Sequence, residues 1–100
     1  MNINVKSEGN KKWIELDGRL DTTAAPQLGE VIEKELQEPV KELVIDMEKC
    51  AYVASSGLRV ILQAQKSINR VQGSMVVKNV NETVMEVFEM TGFSDILTIE

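Results

Sequence analysis

The chain has 100 residues, 43% hydrophobic and 27% charged, which is the size and make-up of one globular domain over residues 1–100 and leaves no material for a second core. Its formal net charge of −5, with Lys11-Lys12 the one basic pair, argues against nucleic acid or an anionic membrane surface as partner; the excess reads first as solubility and second as a match for a basic protein surface. The lone Cys50 excludes an intramolecular disulfide, residues 1–5 lack a signal-peptide pattern, and no apolar run nears the ~18 residues of a membrane span, so a cytoplasmic address without membrane insertion is expected.

Ile3 and Val5 alternate with Asn2, Asn4 and Lys6, and Ile14 and Leu16 with Trp13 and Glu15, the period-two pattern of half-buried strands. Residues 7–10 form the turn between them, so the chain should open with an antiparallel hairpin. The period then changes. Leu28, Val31, Ile32 and Leu36 share one helical face over residues 22–36, with Thr23 as expected N-cap, Pro26 in the first turn and Pro39 as the stop.

Leu43-Val44-Ile45 is an unbroken apolar run suited to a central strand. A second helix is expected over residues 56–69, with Leu58, Ile61, Leu62, Gln65 and Ile68 on its buried stripe. Met75-Val76-Val77 reads as a strand after the Gly73 break. Asn81 should cap a third helix that turns Val84, Val87, Phe88 and Thr91 inward, with Gly92 ending it in the left-handed conformation and residues 96–99 forming a last strand. The order β-β-α-β-α-β-α-β makes an α/β domain: an antiparallel hairpin, then right-handed parallel crossovers in a mixed sheet, with helices mainly on one face.

Histidine is absent, which removes the Ser-His-Asp and Cys-His arrangements and the commonest metal ligand. The six glycines are scattered singly, so no phosphate loop is present, and no Cys or His cluster has metal-ligand spacing. Neither an enzyme, a cofactor nor a metal is expected. Two loops stand out instead, residues 18–22 and 52–58, because both leave strand ends at the carboxyl edge of a parallel sheet and enter helices. Ser55 reads structurally as a plain N-cap, with Ser56 at N1 and Gly57 at N2. That leaves the second serine, the glycine and the neighbouring Tyr52 without a role. Free N–H groups and the positive end of a helix dipole also prepare such a place for a phosphoryl group, with Gly57 leaving the backbone open to a partner.

In their order and spacing, Gly18-Arg19-Leu20-Asp21, Leu43-Val44-Ile45-Asp46, Tyr52-Val53-Ala54-Ser55-Ser56-Gly57-Leu58-Arg59-Val60 and Val87-Phe88-Glu89-Met90-Thr91-Gly92-Phe93 resemble the STAS domains, and among them the bacterial anti-sigma factor antagonists. The resemblance runs over essentially the whole chain. It implies a partner-switching regulator of transcription: the unmodified protein binds an anti-sigma factor that is also a serine kinase, a sigma factor is released, phosphorylation of Ser55 turns the protein off, and a phosphatase restores it. Asp21, Thr22, Ala54, Ser56, Gly57, Leu58 and Arg59 are the implied partner-binding residues. Ala54 stands where sporulation-type members carry Asp. The rival reading is a STAS subunit of a transporter or nucleotide-sensing assembly that uses the same edge without phosphorylation. A monomer or weak dimer is expected.

Overall fold

The computed structural model describes residues 1–100. Strands β1 (Asn2–Glu8) and β2 (Lys11–Leu20) pair antiparallel from Asn2 opposite Asp17 to Glu8 opposite Lys11. Gly9 supplies the positive φ of 61° that the two-residue turn requires. Helix α1 (Ala24–Glu35), strand β3 (Glu42–Val53), helix α2 (Ser55–Arg70) and strand β4 (Ser74–Lys78) follow, and β3 lies parallel between β2 and β4. Helix α3 (Glu82–Met90) and a 3-10 turn (Phe93–Asp95) complete the chain. The hairpin entry, the parallel crossovers and the interior place of Leu43-Val44-Ile45 agree with the sequence reading.

The expected last strand over residues 96–99 shrinks to one parallel bridge, Ile99 to Val77. Gly92 does adopt the left-handed conformation, at φ 79°, but the 3-10 turn then consumes the chain and leaves Ile96 54% exposed. The sheet therefore has four strands.

Register decides which side chains meet the helices. Ile14, Ile45 and Val77 are aligned, as are Lys12, Leu43 and Met75; all of these except Lys12 join Leu28, Leu58, Ile61, Val84 and Phe88 in one core of 21 buried residues. All three helices thus pack on one face of the sheet. On the opposite face Trp13, Val44 and Val76 lie side by side.

Lys12 is the buried charge at the border of this core. It is 3% exposed, and its ammonium donates to Glu35 at 2.7 Å and to Glu38, tying the start of β2 to the end of α1. Those bonds raise its pKa above the ordinary lysine value against the opposing effect of burial. A basic pair on paper is thus one surface lysine, Lys11 over the Trp13 ring at 4.8 Å, and one interior lysine.

Helix α2 is turned relative to the expected stripe. Gly57, Leu58, Ile61, Ala64, Gln65 and Ile68 are its buried residues, whereas Leu62 is only half-buried and lies outside the core. On α3, Val84 and Phe88 are inward as expected, but Thr91 is exposed and its hydroxyl donates to the Val87 carbonyl at 2.7 Å.

Candidate functional site

The two strand-to-helix junctions singled out above lie side by side. Leu20 pairs with Val53 at the carboxyl ends of β2 and β3, and the Ala54 N–H donates to the Leu20 carbonyl at 2.9 Å. Both strands run further than the loop assignment allowed, so Gly18, Arg19 and Leu20 belong to β2 and Tyr52 and Val53 to β3. Two register shifts give β3 extra residues against β2, and Gly18 takes a φ of 123° at the second. Beyond it the Arg19 guanidinium sits over the exposed Tyr52 ring, 4.4 Å from its centroid.

The chain turns from strand to helix at Ala54, whose ψ of 165° is extended. Ala54 is therefore the N-cap, and it has no side-chain oxygen with which to cap. Ser55 stands at N1, Ser56 at N2 and Gly57 at N3, one step further into the helix than the sequence suggested. The first bond of the helix runs from the Leu58 N–H to the Ala54 carbonyl at 3.1 Å, and the N–H groups of Ser55, Ser56 and Gly57 have no protein acceptor. No acidic side chain stands in this first turn.

The adjacent serines differ. Ser55 is exposed, while the Ser56 hydroxyl is buried without a hydrogen-bond partner. Gly57 is buried too. A Cβ there would lie 2.6 Å from Leu20 Cγ, so glycine is needed to let α2 begin against the end of β2. Leu58 is 2% exposed and belongs to the core. Gly57 and Leu58 therefore shape the site from below and do not present a surface, contrary to the expectation of open backbone at Gly57. Arg59 is exposed and follows Ser55 by four residues, which puts both on one helix face.

Asp21 has a second duty that spacing alone did not show. Its Oδ1 accepts from the Ala24 N–H at 2.9 Å and its carbonyl from the Ala25 N–H at 2.9 Å, so Asp21, not Thr23, caps α1. Thr22 is exposed beside it. Cys50, opposite Gly18, is 1% exposed, and burial pushes its thiol above the ordinary cysteine value, which makes it unreactive at neutral pH.

No group of three or more Asp, Glu, Cys or His is close enough to hold a metal ion, and no helix is long and apolar enough to cross a membrane. At this sheet edge the chemistry on offer is the exposed Ser55 hydroxyl beside three backbone N–H groups without a protein acceptor, with Thr22 and Tyr52 exposed nearby.

The family model described as STAS domain matches residues 2–100. Among curated proteins, the chain is 26% identical over 101 residues to the anti-sigma-B factor antagonist of Staphylococcus aureus, covering 99% of this chain and 94% of that protein. It is 32% identical over 84 residues to BtrV of Bordetella bronchiseptica, described as a candidate anti-sigma factor antagonist, covering 84% and 72% respectively. The fold matches that of the anti-sigma factor antagonist SpoIIAA in its unphosphorylated form, with a TM-score of 0.87 at 23% identity over 99% of this chain and 88% of that one. SpoIIAA in its phosphorylated form matches with a TM-score of 0.78 at 22% identity, over 99% and 91% of the two chains.

Proposed function

This chain belongs to the STAS domain family, and on that footing we propose that it is an anti-sigma factor antagonist: unmodified, it binds an anti-sigma factor of the serine-kinase type, and phosphorylation of Ser55 releases that partner. The observation that carries the reading is the uncapped start of α2, where Ser55 is exposed and the N–H groups of residues 55–57 have no protein acceptor.

A kinase needs a hydroxyl it can reach, and Ser55 offers one while Ser56 does not. A phosphoryl group on Ser55 would sit at the positive end of the α2 dipole, with Arg59 one turn away on the same face. It adds roughly −1.5 to −2 charges at pH 7 to a surface that carries no acid in the first turn of α2. The core is untouched by that change, so the switch acts on docking and not on folding. SpoIIAA, which shares the fold, exists in unphosphorylated and phosphorylated forms. Thr22, Arg59 and the rim of Ala54 are the groups a partner meets around Ser55; Asp21 holds the α1 side of the contact in place. A phosphatase completes the cycle.

The test is affinity for the kinase. Ser55→Ala should bind it as the unmodified protein does and stay bound in the presence of ATP, while Ser55→Asp should bind more weakly. Ser56→Ala should remain switchable. Equal, ATP-independent affinity of all forms would remove the switch and leave a plain binding module.

A further inference from the structure

A broad concavity lies away from Ser55, between the first two helices. Helices α1 and α2 meet where a Cβ on Gly29 would lie 3.9 Å from Val60, and between them runs a groove of about 840 Å³. Ile32, Val40, Val60, Ala64 and Ile68 form its floor, and residues 38–41, which lead into β3, close one end.

The walls of the groove differ in sign. Helix α1 contributes Glu30 and Glu33, and helix α2 contributes Arg70, all exposed and all without an ion pair. The other charges at the closed end are already engaged: Glu38 with buried Lys12, and the Lys41 ammonium with the Val71 carbonyl. Helix α2 has no acidic residue, and of its basic residues Arg70 lines the groove. An apolar floor with Glu30 and Glu33 along one side and Arg70 on the other is the complement of an amphipathic helix whose apolar stripe is flanked by basic residues on one side and acidic residues on the other.

We propose that the groove between α1 and α2 is a second docking surface, which takes an amphipathic helix of a partner protein with an apolar stripe, one basic flank and one acidic flank. Its place in the fold separates it from the switch. Both helices start at the carboxyl edge of the sheet, and Arg70, the last of the 16 residues of α2, lies roughly 22 Å along the axis from Ser55 at 1.5 Å per residue. That is more than twice the Debye length at physiological salt, so a phosphoryl group on Ser55 leaves the Arg70 end of this binding unchanged, while Val60, about 7.5 Å from Ser55 along the axis, marks the near end of the groove. The surface would keep a partner bound in both states of the switch.

Two synthetic helical peptides of about three turns test the proposal, both with Leu at i, i+3, i+4 and i+7; one carries Lys on one flank and Glu on the other, the second Glu on both. In a methyl NMR titration the mixed-flank peptide should shift Ile32, Val60 and Ile68 and bind about tenfold more tightly than the all-acidic one, the gain expected from two or three exposed ion pairs. Glu30→Lys combined with Glu33→Lys makes both walls basic at exposed positions that the core does not need, and it should reverse the preference. Ser55→Asp should leave the shifts of Ile68, at the Arg70 end, unchanged while weakening the kinase complex. Indistinguishable affinities for the two peptides, or shifts confined to the Ser55 end, would overturn the proposal. So would concentration-dependent dimerisation in sedimentation that shifts the groove methyls without peptide, because a second copy would then be the occupant.

Discussion

Helices α1 and α2 begin side by side at the same edge of the sheet, yet their first turns are finished in opposite ways. At α1 the Asp21 carboxylate accepts the Ala24 N–H, and at α3 the Asn81 side chain accepts the Val84 N–H at 2.8 Å. At α2 the residue in that position is Ala54, and three donors stay free. Capping contributes about 0.5–2 kcal/mol, so an uncapped helix start among capped ones is a stability the fold forgoes where an incoming anion can supply the missing acceptors. The contrast also separates two roles within one surface: the α1 side holds its own shape, and the α2 side is left open to modification.

If α2 dispenses with a cap because its buried stripe anchors it, truncating that stripe must cost most. Ile61→Ala should lower stability by about 2–5 kcal/mol in denaturant unfolding, and the half-buried Leu62→Ala by clearly less. Comparable losses would mean that α2 is turned differently.

The next effect lies at the junction itself. Gly57→Ala pushes a methyl to 2.6 Å from Leu20 Cγ and 3.1 Å from the Leu20 carbonyl, and overpacking of this kind should cost about 1–3 kcal/mol. A neutral Gly57→Ala would show that α2 does not need its close approach to β2.

The smallest effects test the contrast most finely. Asp21→Ala should cost about 0.5–2 kcal/mol through loss of the α1 cap, whereas Ser55→Ala should change stability by less than about 0.5 kcal/mol, because its hydroxyl caps nothing. Equal losses would place Ser55 back in a capping role and erase the distinction between the two helix starts.

Much of this was readable in the sequence, and the misses have physical causes. Strand alternation and helical stripes located the hairpin, the three helices and the interior β3, because burial on one face writes a period into the chain. The neighbouring junctions followed from parallel topology. The cap of α2 was misplaced by one residue because serine is the better capper by propensity, while the strand-to-helix turn is fixed by Ala54 donating to Leu20. Asp21 was overlooked as a cap because Thr23 sits closer to the apolar pattern. The expected stripe holds Leu62 and lacks Ala64, because bulk marks a core residue on paper, yet in the structure Ala64 is the buried side chain, 1% exposed and on the groove floor. Nothing in the pair Lys11-Lys12 distinguishes the lysine that enters the core, since its partners Glu35 and Glu38 lie across a crossover.

The most direct test of Ser55 as the working point is to incubate the protein with ATP and the anti-sigma factor kinase, then locate the modified residue by mass spectrometry. The exposed, uncapped hydroxyl of Ser55 should carry the phosphoryl group, with none on Ser56. Label on Ser56, or no label on either serine with full kinase binding, would contradict the account.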